Sequence, residues 1–198
     1  ASLLESQVAM LDFQASRYLV SSEIAGQTGN NHPTMTPMGT YNTADGFINI
    51  ASTGEAMWRR LCNVLDIRES LDDKDFEDDI ARTKNREKLT DIINKALFKN
   101  TKEEWIKKLN EVSIPCGPIN NIKEVFEDPQ VVHSKIAKTV VHPKLGKIQL
   151  VGQAMNLSRT PSKIKTAAPN KGEHTNIILN ELGYSKEKIK KFKMEKII

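Results

Sequence analysis

The stretch Ser113–Val131 (SIPCGPINNIKEVFEDPQV) marks a change in the character of the sequence. Before it, helical patterns surround one hairpin pattern, and after it, short extended runs are interrupted by proline and glycine. The first two prolines of the stretch disfavour helical backbone in the residues before them, so Ile114–Pro118 is predicted to be an extended crossing. Asn120 or Asn121 then caps a short helix, which Asp128 and the following proline end, and Asp128 is a candidate cap for another helix. The fold therefore depends on what this crossing joins.

Upstream of the crossing, the spacing of apolar residues predicts helices around one hairpin. Apolar residues recur at helical spacing over residues 2–20, which predicts a single terminal helix with a broad apolar face. An Ala-Asp-Gly turn between alternating residues predicts a hairpin over Gly39–Ala51. Residues 54–112 carry three helical patterns, the last of which opens with a capping box at Thr101 and Glu104. The acidic stretch Asp72–Asp79 among them is predicted to be a solvated linker.

Downstream of the crossing, the pattern predicts two strands and two helices. Lys138–Pro143 and Lys147–Val151 are short extended runs around a Leu-Gly turn, and Gly172–Gly183 has a helical pattern closed by glycine. A last short helix begins at Ser185. From its residues alone, the chain is predicted to be a helix-rich α/β protein with some α+β character.

Composition excludes several classes of function. The net charge of +4 gathers in a lysine-rich C-terminal segment that has one aromatic residue and no arginine, so a solvated helical face is favoured over a nucleic-acid surface. No apolar run approaches the roughly 20 residues that cross a bilayer, so no membrane association is predicted. Cys62 and Cys116, the only cysteines, suggest neither a disulfide framework nor a zinc site. This usage predicts a reducing, cytoplasmic location.

No familiar catalytic motif is present, neither a phosphate-binding glycine loop nor a nucleophile elbow nor a zinc-binding histidine pair. Among the four histidines, His32 alone lies in a plausible ligand-facing setting, beside Asn30 and Asn31 in a polar loop of a length that is often functional. The alternative is a polar loop shaped by Pro33. Cys116 has no obvious base beside it, so packing is favoured over a nucleophilic role. No metal site is predicted.

Several short stretches, in order along the whole chain, together resemble a known family. They are Ser2-Leu-Leu-Glu-Ser, Gly29-Asn-Asn-His-Pro, Thr43-Ala-Asp-Gly-Phe-Ile-Asn-Ile-Ala, Trp58-Arg-Arg-Leu-Cys, Glu104-Trp, Ile114-Pro-Cys-Gly-Pro-Ile-Asn-Asn-Ile, Asp128-Pro-Gln-Val, His142-Pro-Lys-Leu-Gly, Ser158-Arg-Thr-Pro and Gly172-Glu-His-Thr. The set resembles the C-terminal half of the class III CoA-transferase family, which includes formyl-CoA transferases, carnitine dehydratases and methylacyl-CoA racemases. Within that family, the chain is most similar to the glutarate- and succinyl-CoA-using transferases.

The resemblance implies an architecture. Family members have a Rossmann-like large domain and a small domain, and two subunits interlock. Residues 1–24 would be the terminal helix of the large domain, residues 25–113 the small domain with its hairpin, and residues 114–198 the return to the large domain. The chain would be a homodimer, or would pair with an N-terminal half that it lacks.

The resemblance also implies a reaction. Transferases of the family exchange CoA between an acyl-CoA and a carboxylic acid, here a dicarboxylic acid, through an aspartate nucleophile. That aspartate precedes the segment matched by Ser2, so this chain would supply no catalytic residue and would be inactive alone. The CoA thioester would be a substrate, with no bound cofactor. In a eukaryote, the mitochondrial matrix is a second expected location.

One active-site element of the family falls inside the chain. A glycine-rich loop closes over the reacting group in the transferases, and its place is taken here by Gly29–Pro33, without the glycine run. Asn30, Asn31 and His32 are therefore predicted to bind substrate. Two alternatives stay open, a methylacyl-CoA racemase of the same family and a noncatalytic helical interaction module.

Overall fold

The computed structural model describes residues 1–198, which form two compact units, Ala1–Ile119 and Asn120–Ile198. The first unit contains α1 (Leu3–Ala9), α2 (Asp12–Ser21), β1 (Met38–Thr43), β2 (Gly46–Ala51), α3 (Gly54–Leu65), α4 (Asp79–Lys84), α5 (Arg86–Leu97), α6 (Lys102–Glu111) and β3 (Cys116–Pro118). The second contains α7 (Ile122–Glu127), α8 (Pro129–Ser134), β4 (Ala137–His142), β5 (Gly146–Val151), α9 (Thr175–Glu181) and α10 (Lys186–Met194). The predicted mixed α/β class is confirmed.

The sheet of the first unit is antiparallel, in the order β1-β2-β3. The predicted hairpin is confirmed, with Thr43 opposite Gly46 at its turn. The predicted extended crossing becomes β3, in which Cys116 lies opposite Ile50 and Pro118 opposite Ile48. The crossing therefore adds a third strand to the hairpin.

One hydrophobic core fills the first unit. Its helices contribute residues at helical spacing, so that one face of each is buried. These residues are Trp58, Leu61, Cys62 and Leu65 of α3, Leu89, Ile93, Ala96 and Leu97 of α5, and Trp105 and Leu109 of α6. The Trp105 indole N–H donates to the Leu97 carbonyl oxygen at 2.6 Å, which satisfies the polar atom of a buried ring. Tyr41, Ile48 and Ile50 cover this layer from the sheet.

Two local predictions are wrong. The terminal helix is interrupted after α1, and Asp12 takes a positive φ of 47°, a turn that the apolar spacing did not reveal. The acidic stretch is not simply a solvated linker, because Phe76 lies in a short 3-10 turn and is buried in the core. A single apolar residue among charges gives too weak a pattern for its burial to be predicted.

The second unit begins with two capped helices, as predicted. Asn121 and Glu124 form a reciprocal capping box on α7, and the Asp128 carboxylate accepts from the first N–H groups of α8. β4 and β5 then pair as an antiparallel hairpin, and α9 and α10 follow. Val140 and Ile189 are the buried hydrophobic residues of this unit. In neither unit is there a helix of the length and apolar character that crossing a membrane requires.

Candidate functional site

The predicted site residues lie in the segment between α2 and β1, which has no regular secondary structure. The backbone N–H of Asn31 donates to the Thr28 carbonyl oxygen at 3.1 Å, and that of His32 donates to the Met38 carbonyl oxygen at 2.9 Å. The second bond ties the loop to the first residue of β1. The loop is thus fixed at the edge of the sheet by its own backbone.

The imidazole of His32 organises the turn that follows it. Its Nδ1 accepts hydrogen bonds from the backbone N–H groups of Thr34 at 3.3 Å and Met35 at 3.2 Å. Because a backbone N–H can only donate, Nδ1 is unprotonated, and the proton of the neutral ring is on Nε2. The ring also stacks on Phe13, with centroids 5.5 Å apart and planes 12° apart. His32 therefore presents an Nε2–H donor from a fixed ring.

A second His-Pro pair repeats this turn. His142 Nδ1 accepts from the backbone N–H groups of Lys144 at 3.1 Å and Leu145 at 3.2 Å, which are again two and three residues onward. His142 is therefore a local hydrogen-bonding residue. A structural role thus accounts for Nδ1 of both histidines, while the stack on Phe13 is particular to His32.

Side chains from α4 and α5 hold the loop from the other side. Arg86 Nη2 donates to the His32 carbonyl oxygen at 2.7 Å, and Thr83 Oγ1 donates to the Thr34 carbonyl oxygen at 3.3 Å. Arg82 Nε donates to the Thr36 carbonyl oxygen at 3.2 Å. Three carbonyl groups of the loop therefore accept hydrogen bonds from side chains at the end of α4 and the start of α5.

Arg82 is the buried centre of this attachment. Its side chain is fully buried and also donates to the Phe76 carbonyl oxygen at 2.9 Å, to Glu55 at 2.8 Å and to Asp79 at 2.6 Å. The guanidinium lies 5.3 Å from the centre of the Trp58 ring. Sequence reasoning missed this residue, although the Asp78-Asp79 start of α4 three residues earlier was an available signal for a paired arginine.

Asn30 and Asn31 pack closely on Gly39 of β1. A Cβ added to Gly39 would overlap the side-chain oxygen of Asn31 and would lie 3.2 Å from the Asn30 carbonyl oxygen. Glycine at this position therefore allows the loop to cross the strand at close range. This contact places the Asn31 side chain, whereas Asn30 is exposed.

The loop borders a cavity of about 570 Å³ that Asn31 and Arg86 both line, together with Thr28, Glu87 and Asp91. The loop carbonyl groups use only Nη2 of Arg86, so its other N–H groups remain available to a ligand. Glu87 and Asp91 line the same cavity, and their carboxylates disfavour a polyanion there more than a carbonyl or a single carboxylate. Among the three predicted residues, Asn31 alone lines this cavity, and sequence reasoning missed Arg86.

Neither cysteine is prepared as a nucleophile. Burial raises the pKa of the Cys62 thiol to about 12. Burial also raises the pKa of Cys116, whose Sγ lies 3.8 Å from the Ile106 carbonyl oxygen and 3.7 Å from Asn110 Oδ1. A raised pKa disfavours the thiolate, so packing is the better interpretation of Cys116. No group of three or more His, Cys, Asp or Glu side chains is arranged to hold a metal ion.

Residues 1–175 match the model of CoA-transferase family III, and the chain belongs to that family. It is 32% identical over 181 residues to the human succinyl-CoA:glutarate CoA-transferase, covering 91% of this chain and 41% of the relative. It is 33% identical to the succinate--glutarate CoA-transferase of Agrobacterium fabrum, covering 91% of this chain and 45% of the relative. The chain thus spans less than half the length of these relatives.

Solved structures agree with the family assignment. A CAIB/BAIF family protein from Brucella suis superposes with a TM-score of 0.74 and 28% sequence identity, covering 88% of this chain and 45% of that one. Rv3272 from M. tuberculosis superposes with a TM-score of 0.69 at 19% identity, covering 89% of this chain and 46% of that one, a likeness of fold alone.

Proposed function

We propose that this chain is the C-terminal part of an enzyme that exchanges CoA between an acyl-CoA and a dicarboxylic acid. The observation that carries the proposal is the 32% identity to a succinyl-CoA:glutarate CoA-transferase over 91% of the chain. A formyl-CoA:oxalate CoA-transferase of Streptomyces avermitilis, 32% identical over 142 residues, also acts on a dicarboxylic acid. The names of these relatives favour acyl transfer over racemisation.

The nucleophile is expected outside this chain. In the family that the chain resembles, an aspartate carboxylate attacks the thioester carbonyl carbon, expels the CoA thiolate and forms a mixed anhydride. That aspartate precedes the segment matched by Ser2-Leu-Leu-Glu-Ser, and no aspartate of this chain corresponds to it. The division into residues 1–24, 25–113 and 114–198, and the interlocked dimer, belong to the same proposal.

The loop is proposed to contribute binding rather than covalent chemistry. Asn31 and Arg86 line one cavity, and the Nε2–H of His32 is a donor on a ring fixed by Phe13. Amide, guanidinium and imidazole donors can hold a thioester carbonyl or a carboxylate without a metal ion. Asn30 is exposed, so it is proposed to contact only a part of the substrate that extends to the outer side of the loop.

The test is an exchange assay on two polypeptides. The 198-residue chain is compared with a longer polypeptide that also carries the preceding family segment, and glutaryl-CoA formed from succinyl-CoA and glutarate is measured by mass spectrometry. We expect exchange by the longer polypeptide and none by the chain alone. Exchange by the chain alone would show that the nucleophile lies within it. No exchange by the longer polypeptide, together with racemisation of a 2-methylacyl-CoA measured by chiral chromatography, would replace the transferase with the racemase.

A further inference from the structure

The second unit contains a cavity of its own, with a volume of about 710 Å³. It is lined by the end of α8, the start of β4 and the irregular segment that begins at Gly152. The N–H of Gly152 donates to the Ile136 carbonyl oxygen at 2.7 Å, and a Cβ at Gly152 would lie 3.0 Å from that oxygen. Glycine thus lets the segment turn back closely over the sheet and border the cavity.

Three lysines line this cavity, Lys135, Lys138 and Lys163. None of them forms a salt bridge, whereas Lys88 is held by two carboxylates and Lys123 by one. The lining includes no aspartate or glutamate. An anion in this cavity is attracted by all three lysines and meets no carboxylate among the lining residues.

The rest of the lining is suited to the uncharged part of a small molecule. Ile136, Leu157 and Ile164 supply apolar surface, and the side chains of Gln153 and Asn156 supply neutral donors and acceptors. A volume of several hundred Å³, apolar walls and a few polar groups characterise small-molecule sites in proteins. All three lysines are exposed, as are Leu157 and Ile164, so the cavity is open to solvent on the side of these residues.

We propose that this cavity binds an organic anion that carries two or more negative charges and an apolar portion. Phosphate esters and polycarboxylates share that chemistry, because both present several anionic oxygens to ammonium groups. The site lies wholly within the second unit and uses no residue of the loop at Asn31. Its test therefore does not require the proposed CoA exchange.

Calorimetric titration of the 198-residue chain with three probes tests the proposal. Adenosine diphosphate represents a phosphate ester, benzene-1,3,5-tricarboxylate represents a polycarboxylate, and pyrophosphate has the charge without the apolar portion. We expect at least one organic probe to bind with one-to-one stoichiometry, and about tenfold more tightly than pyrophosphate. The tighter organic probe identifies the class of anion.

Two variants of the same hairpin separate a site from general attraction. Lys138→Gln removes the charge of a lysine that lines the cavity, whereas Lys147→Gln removes the same charge from the paired strand outside it. We expect Lys138→Gln to weaken binding about tenfold and Lys147→Gln to weaken it less than about twofold. Equal weakening by both variants, or no binding of either organic probe at millimolar concentration, would overturn the proposal.

Discussion

Gly39 has no side chain, and this allows the loop to lie directly against β1. We predict that Gly39→Ala lowers the free energy of unfolding by about 1–3 kcal/mol, because the new Cβ would overlap Asn31 and the structure must shift to accommodate it. Urea denaturation monitored by tryptophan fluorescence measures the change. Gly117→Ala is the matched control, since that strand glycine has open space around it. A change of the same size in both variants would contradict the close contact.

The guanidinium of Arg82 stabilises the first unit because it donates hydrogen bonds to two buried backbone carbonyl groups and to two carboxylates. We predict that Arg82→Met lowers the free energy of unfolding by about 3 kcal/mol, because the buried carbonyl groups of Thr36 and Phe76 lose their donors. Glu55 and Asp79 keep access to water, so they add less to the cost. Arg59→Met on the exposed side of α3 is the control and should change stability by less than about 0.5 kcal/mol.

Arg86 tests whether the loop cavity binds substrate. In the longer polypeptide of the proposed exchange assay, we predict that Arg86→Lys raises the KM for the acid about tenfold and changes kcat by less than about threefold, because the point charge is kept but the planar fork is lost. Steady-state kinetics of acyl exchange measure both constants. Lys84→Arg, on the preceding helix, is the control and should leave both constants unchanged. A fall in kcat at constant KM would contradict this prediction, because it would assign Arg86 to the transition state and not to binding of the acid.

At the scale of single residues, the sequence predicted the presence of the loop but not the contacts that its residues make. Asn31 could be selected because polar residues gather in a long loop, but the need for Gly39 follows only from how the chain crosses itself. Arg82 and Arg86 were missed because they lie in a polar stretch in which most charged side chains are solvated. A buried arginine differs from an exposed one only in its partners, which lie far away in the sequence.

At the scale of elements, capping and turn residues were the most reliable signals. The capping box at Thr101 and Glu104 and the caps at Asn121 and Asp128 are all present, because each depends on residues only a few positions apart. The break after α1 was missed, since helical spacing of apolar residues continues across it. The pairing of β3 with β2 could not be predicted, because it joins segments distant in sequence.

Asp45 connects two of these elements and makes their stability depend on pH. The backbone N–H of Lys102 at the start of α6 donates to the Asp45 carboxylate at 2.7 Å and lowers its pKa from the usual value of 3.8. A pKa lowered by folding contributes stability above the unfolded value, and this contribution is lost as the pH falls through the folded value. We predict that Asp45→Asn destabilises the protein near neutral pH and that the difference from the natural protein shrinks below about pH 4.

Denaturation of both proteins over a series of pH values checks this. Asp72→Asn is the control, because Asp72 is an exposed aspartate of the same unit that does not bond to another element. We expect Asp72→Asn to change the free energy of unfolding only slightly, and this difference from the natural protein should not shrink at low pH. A difference between the natural protein and Asp45→Asn that stays constant down to about pH 2 would show that the hydrogen bond does not favour the ionised carboxylate.

At the scale of the whole molecule, the two units are built on unequal cores. The first unit buries a continuous cluster that includes Trp58, Phe76 and Trp105, whereas Val140 and Ile189 are the buried hydrophobic residues of the second. Buried apolar surface is the main source of folding free energy, so local stability should differ between the units. A single cooperative transition is therefore not expected for the chain.

Both tryptophans lie in the first unit, which allows the two units to be observed separately. We predict that far-UV circular dichroism, which reports helices of both units, begins to change at a lower urea concentration than tryptophan fluorescence. The α9–α10 region loses its structure first, because little apolar surface is buried there. Hydrogen exchange should show the same order, with amides of α5 and α6 protected longest. Coincident transitions by both probes would mean that the second unit unfolds together with the core around Trp58 and Trp105.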